Sequence, residues 1–149
     1  MNPIDGNYQE TIAWANKWRE DEYKLGHYLK EPAPCLLTTL YAQMVVEGSI
    51  KMGKWVKLAC KRFLNDLEKS KTDPNYPWRF DEEKAWRPIR FTEKMCKPSK
   101  GDYDKLVLQP WQHFVVGNMF GWVDKKTGNR RFRESLIFLG RKNGRVLPL

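Results

Sequence analysis

The amino-acid sequence predicts a mainly α-helical N-terminal region followed by a β-hairpin and the first strand of an α/β domain, incomplete within these 149 residues. Three observations lead there. Apolar residues recur at helical spacing through most of residues 36–97, and the breaker run Pro98-Ser99-Lys100-Gly101-Asp102 divides the chain. Near the end stands a continuous apolar run, Leu136-Ile137-Phe138-Leu139. Bounded by Gly140, such a run reads as a strand buried on both faces, as in a parallel sheet. The division puts a helical region at residues 1–100 and the α/β portion at residues 101–149.

Residues 5–30 are charged and rich in tryptophan and tyrosine, with Ile12, Trp14, Trp18, Leu25 and Leu29 as apolar points. They suit one weakly amphipathic helix or two short ones. Pro32 and Pro34 end that segment, because proline lacks an amide and restricts the residue before it. Residues 36–46 are predicted helical and stopped by Gly48, after which Ser49 offers an N-cap oxygen to the next helix. That helix, residues 50–69, is the most regular. Met52, Val56, Ala59, Cys60, Phe63 and Leu67 recur on one side, widened by Trp55 and Leu58. Lys54, Lys57, Lys61 and Arg62 lie toward the other, as either a solvated polar face or a weak nucleic-acid-facing stripe.

Residues 70–78 contain Pro74 and Pro77 and are predicted to be a loop. Asp81 is placed to cap a further helix, kinked or restarted by Pro88 and reaching about Lys97. Beyond the break, Leu106-Val107-Leu108 suits a short extended segment. Gln109-Pro110 begins a helix through Phe114, Val115 and Met119 that ends at Gly121. Lys125-Lys126-Thr127-Gly128-Asn129 then lies between residues able to pair, which predicts a hairpin over residues 122–133.

Composition narrows the function classes. With 41% hydrophobic residues the chain can bury a core, yet its mean hydropathy is −0.71. No apolar stretch approaches the roughly 18 residues of a membrane span. Met1-Asn2-Pro3-Ile4-Asp5 is neither basic nor followed by an apolar core, so no secretory signal is expected. Cys35, Cys60 and Cys96 are odd in number and far apart, which suits a reducing compartment and no disulfide framework. Without a C-x-x-C or H-x-x-x-H pair, no zinc site is expected, and His27 and His113 read as surface or packing residues. A net charge of +9 favours a nucleic-acid partner through counterion release, without selecting a function.

The apolar run leads directly into Gly140-Arg141-Lys142-Asn143-Gly144-Arg145-Val146. A buried strand feeding a glycine-bearing basic turn is how phosphate-binding loops present backbone amides. Against the pattern G-x-x-x-x-G-K-[ST], Gly144 stands at the second glycine. Leu139 replaces the first, Arg145 the lysine and Val146 the Mg²⁺-binding hydroxyl. Taken alone the loop is weak, because surface turns of this composition are common.

Several blocks together say more. Leu108-Gln109-Pro110-Trp111-Gln112, Phe120-Gly121-Trp122, Thr127-Gly128-Asn129-Arg130-Arg131-Phe132-Arg133 and Gly140-Arg141-Lys142-Asn143-Gly144 resemble, in order and spacing, the large terminase subunits of tailed phages. Weaker similarity runs upstream through residues 53–62 and Phe80-Asp81, so that the resemblance spans about residues 41–144. It implies a P-loop α/β ATPase domain and an ATP-driven motor that threads DNA into a preformed shell, with a nuclease that cuts the concatemer. The partners implied are DNA, a small terminase subunit and a portal protein, in the cytoplasm of a bacterial host, with no membrane.

Carried over by position, Gln112 matches the glutamine that reads adenine, an amide being able both to donate and to accept. Arg141 matches the loop's early phosphate-contacting basic residue. The vestigial nucleotide-binding set is thus Gln112, Arg141, Lys142, Asn143, Gly144 and Arg145. Terminase loops commonly lack the first glycine, so Leu139 is a minor departure. Arg145 and Val146 are major ones: arginine's planar fork does not replace an ammonium freely, and valine offers Mg²⁺ no oxygen. The expectation is an N-terminal fragment ending within the loop, without catalytic residues, metal site or bound cofactor of its own, and inactive alone. The alternative is a self-contained basic nucleic-acid-binding module, its tryptophans either stacking on bases or simply core, or an adaptor docking on phage proteins.

The C-terminal third is expected to be the least stable region, with the strand at residues 136–139 pairing to the hairpin or lying partly exposed. A frameshift is a specific origin for the two departures. Gly-Lys-Ser coded GGA AAG AGT becomes Gly-Arg-Val when one A is lost. The gene's nucleotide sequence should then encode the remaining ATPase in another frame just downstream; an empty downstream frame rules the origin out.

Overall fold

A computed structural model of the chain describes residues 36–96, 106 and 108–138. The helical reading of residues 5–30, the break at residues 98–102 and everything from Leu139 onward lie outside the described residues. Four helices, α1 (Leu36–Glu47), α2 (Lys54–Thr72), α3 (Glu82–Met95) and α4 (Pro110–Gly121), accompany two short strands, β1 (Trp78–Phe80) and β2 (Trp122–Asp124). The described residues are mostly helical with a small antiparallel sheet, as the fold-class expectation had it.

Helix α1 stops where the glycine signal put its end. Gly48 takes φ 94°, a left-handed conformation glycine adopts without Cβ strain, and the amides of Gly48 and Ile50 both donate to the Met44 carbonyl at 3.1 Å. Ser49 does not cap the next helix, contrary to expectation. Helix α2 starts later, at Lys54, with Gly53 in the cap position and no side-chain cap bond. Ile50 instead turns inward and is fully buried. Burying an isoleucine is worth about 1.5–3 kcal/mol, against roughly 1 for a serine cap. Packing wins.

The core face of α2 carries Cys60, Phe63 and Asp66, with Leu64 and Leu67 packed alongside. The predicted stripe is corrected at its start: Met52, Trp55, Val56 and Leu58 are exposed. Periodicity finds a face but not the length of it that neighbours cover. The helix also outruns its expected end, reaching Thr72, so the predicted loop shrinks to residues 73–77. Trp78, predicted in that loop, begins β1, which pairs antiparallel with β2 in the register Trp78↔Asp124, Arg79↔Val123, Phe80↔Trp122.

Asp81 caps α3 as predicted, its carboxylate accepting from the Lys84 amide at 3.0 Å. Pro88 does not split the helix, which runs continuously from Glu82 to Met95. The proline removes the amide that would bond the Lys84 carbonyl. Ala85, Trp86 and Ile89 lie buried in one cluster on either side of the gap, and that burial holds the helix through it.

Helix α4 runs between the bounds the sequence predicted, from Pro110 to Gly121, and joins two cores. One holds Ala85, Trp86, Ile89, Leu106, Leu108 and Val116. The other surrounds Phe63, whose ring meets Phe80, Phe114 and Trp122 edge-on with centroids 5.4–6.0 Å apart. Cys60 lies in this second core, where burial pushes its thiol up to about 11. His113 is a buried packing residue: its Nε2 lies 3.1 Å from Glu93, and its carbonyl accepts from the Thr38 hydroxyl at 3.0 Å. No helix of the described residues is long and apolar enough to cross a membrane.

Beyond β2 the predicted hairpin forms. The Asp124 amide donates to the Asn129 carbonyl, the Arg131 amide to the Trp122 carbonyl, and Val123 and Arg130 form an antiparallel bridge. The strand predicted at residues 136–139 is corrected over its described part. Residues 132–138 form no ladder, and Leu136 and Phe138 are each 93% exposed. A strand exists only through a partner's hydrogen bonds, and among the described residues none runs beside this segment. Of the two outcomes foreseen for it, exposure is the one found.

Gly117 permits the close approach of α4 to α1. A Cβ there would lie 2.5 Å from the Thr38 hydroxyl, which is held by its bond to the His113 carbonyl. Gly117→Ala is expected to lower stability by about 1–3 kcal/mol in urea unfolding, as overpacked cores do. Thr38→Ala should restore part of the loss in the double variant.

Candidate functional site

The residues singled out by sequence fall into three places. The first is the start of α4. Gln109 takes φ −72° and ψ 157° as N-cap, and Pro110 fills the first helical position, where its fixed φ fits and its missing amide costs nothing. Gln109 and Gln112 cap one another. The Gln112 carboxamide oxygen accepts from the Gln109 amide at 2.7 Å, and the Gln109 side chain receives the Gln112 amide. The Gln109 oxygen also accepts from the Trp111 indole at 2.7 Å. Gln112 is 3% exposed, so its amide faces the helix end and not an open surface.

The second place is the hairpin. Asp124 shapes its turn by accepting from the Lys126 and Thr127 amides and the Thr127 hydroxyl at 2.7–3.1 Å. Gly128 supplies the left-handed residue, φ 72°. The Thr127 amide and then the Lys126 amide hold the Asp124 carboxyl below its ordinary range. Arg131 fixes the hairpin to α2. Its guanidinium lies 2.8 Å from the Asp66 carboxylate and 3.0 Å from the Tyr76 hydroxyl, with the rings of Trp78, Trp122 and Phe132 within 5.7 Å. Burial first, then the hydrogen bond to Asp66, raises the Tyr76 hydroxyl above its usual range.

From this base the chain continues through exposed residues 133–136. Arg141, Lys142, Asn143, Gly144 and Arg145 lie outside the described residues. The third place is the outer face of α2, where Lys54, Lys57, Lys61 and Arg62 are all exposed. One turn beyond Arg62 on the same helix stands Asp66, which Arg131 of the hairpin covers.

Sequence reasoning gave no role to Arg131, Asp66 or Glu93. The Arg131 block was noticed for its resemblance, but a partner 65 residues away leaves no local signal. Glu93 likewise serves at a distance, accepting from the Leu108 amide at 3.0 Å while facing His113.

Comparison with known families bears on the last part of this arrangement. Residues 110–148 match the family described as terminase large subunit, ATPase domain. The match opens on the first residue of α4 and takes in β2 and the hairpin. Over this stretch, about a quarter of the chain, the protein is similar to the terminase large subunits, the family to which the sequence blocks also pointed. The weaker resemblance upstream from residue 41 is not part of that match. Neither a curated protein nor a solved structure matches the chain.

Two outcomes follow from the local geometry. Gln112→Ala should cost about 1 kcal/mol in thermal or urea unfolding, the usual worth of a cap, whereas Gln112→Glu keeps the accepting oxygen and should cost much less. Arg131→Ala leaves the buried Asp66 without its cation and should cost about 3 kcal/mol; equal stability of variant and parent would show the pair to be idle. A depressed Asp124 acid contributes stability that is complete above its unfolded value, about 3.9, and lost as pH falls through the folded one. Turn-specific NMR shifts of Thr127 and Gly128 should therefore move only in acid.

Proposed function

We propose that this chain forms the leading part of the ATPase domain of a DNA-packaging motor, and that by itself it does not turn over ATP. The observation carrying the first half is the family match at residues 110–148, seated on a rigid support: α4 is buried between two cores, and Arg131 ties the hairpin to α2. The second half rests on residue chemistry. Arg145 and Val146 stand where the family's loop has lysine and a hydroxyl, and phosphoryl transfer depends on just such positioned charge. Valine gives Mg²⁺ no ligand, so the residues present do not fit the metal.

In this reading ATP is the substrate of the intact family and the chain needs no cofactor. Gln112 is the adenine-side residue of the set Gln112, Arg141, Lys142, Asn143, Gly144 and Arg145. Its carboxamide must leave the Gln109 cap before it can reach a base. DNA is the proposed partner, with a small terminase subunit and a portal protein as further ones. The purified chain is expected to release no phosphate from ATP with Mg²⁺ above a protein-free blank. Sustained, magnesium-dependent release abolished by Gly144→Asp would overturn the proposal.

A second reading is favoured by one observation, the exposed basic face of α2: the chain binds nucleic acid on its own account. Titrating DNA across a salt series separates the two. A self-contained binder shows micromolar or tighter affinity with a steep salt slope, and a bare scaffold shows weak binding only.

A further inference from the structure

From Gly48 to Asn65 the chain holds five cations, Lys51, Lys54, Lys57, Lys61 and Arg62, and no carboxylate. All five are exposed. Among them Trp55 is 77% exposed, with the Lys54 ammonium 5.4 Å from its ring centroid, and Leu58 is open beside it. At helical spacing Trp55, Leu58 and Arg62 form one strip, with Lys54 and Lys61 along its edge and Lys57 further round. Cys60 and Phe63 point the other way, into the core, and Asp66, one turn beyond Arg62, is covered by the Arg131 guanidinium.

The two features ask for one kind of ligand. The cations call for phosphate, and an indole so open does nothing for the core. A polyanion whose units carry flat aromatic faces answers both. Duplex DNA answers only the first, because its bases are stacked on one another, whereas unpaired bases have faces free to stack on an aromatic side chain. We propose that the outer face of α2 is a binding site for single-stranded nucleic acid. Trp55 stacks on a base, Leu58 extends the apolar platform, and Lys51, Lys54, Lys61 and Arg62 neutralise the flanking phosphates. The site rests on the reading of DNA as a partner and adds to it the strandedness of the ligand and the residue that selects it.

The test uses the full chain and fluorescence anisotropy of a labelled thymidine oligonucleotide, against a hairpin duplex of equal phosphate count, at several salt concentrations. The single strand is expected to bind more tightly. Trp55→Ala should weaken it about tenfold, the usual effect of removing one stacking partner, with the salt slope unchanged and duplex binding little altered. Lys54→Ala with Lys61→Ala should weaken both ligands and flatten the single-strand slope by about 1.4, or 0.7 for each phosphate contact. Because Trp55 is exposed, circular dichroism melts of Trp55→Ala should match the parent.

Equal affinity for both ligands, or a Trp55→Ala variant that binds the single strand as the parent does, overturns the stacking site and leaves DNA partnership standing. Absence of binding to either ligand fails both. Should the Trp55 environment change with protein concentration alone, or with an acidic protein and not with nucleic acid, the face belongs to another partner and the proposal is wrong.

Discussion

The close approach of α4 to its neighbours is the constraint on which the rest of the fold depends. This helix exposes no strongly open residue and has no polar face, so it survives in water only when enclosed. Two glycines let the enclosure close. Gly117 admits Thr38 of α1, and Gly121 admits the Phe80 ring and Ala85, where any side chain would collide. Once α4 is seated, β2 begins at the next residue and meets β1 in the only named sheet of the described residues. The segment that matches the terminase ATPase domain is thereby built into the helices before it, and the portions on either side of residues 97–105 share both cores.

What the sequence made legible was what depends on neighbours in the chain. Gly48, Asp81, Gln109-Pro110 and Gly121 each mark a helix end through their own backbone preferences, and each marks it in the structure. The hairpin was readable for the same reason, since Asp124, Thr127 and Gly128 build its turn among themselves. What escaped depends on distant partners. Three residues of β1 have no pattern of their own and become a strand only because β2 arrives from 44 positions away. The overreach was of one kind too. Apolar character at Trp55, Leu58, Leu136 and Phe138 reads as burial, but burial needs something to cover it.

The candidate site divides along the same line. Gln112 was singled out from its place in a motif, and in the structure it is a buried helix cap whose carboxamide oxygen is occupied by the Gln109 amide. Arg131 was found by geometry alone. It joins a carboxylate on α2, a phenol in the following loop and three aromatic rings, and so sets where the chain leaves the hairpin. Of these two structural anchors on one short stretch, only Gln112 lay in a readable motif; Arg131 depends on partners far away in the chain.

Cys60 has a use beyond filling space. Burial pushes its thiol up to about 11, so the sulfur stays protonated at neutral pH, and the atom itself is shielded. Of the two cysteines among the described residues, alkylating reagents in solution therefore reach the half-buried Cys96 before Cys60, which lies in the core with residues of α1. The rate at which that second sulfur is trapped is a built-in clock for opening of the aromatic core, and it runs without any probe being added to the chain.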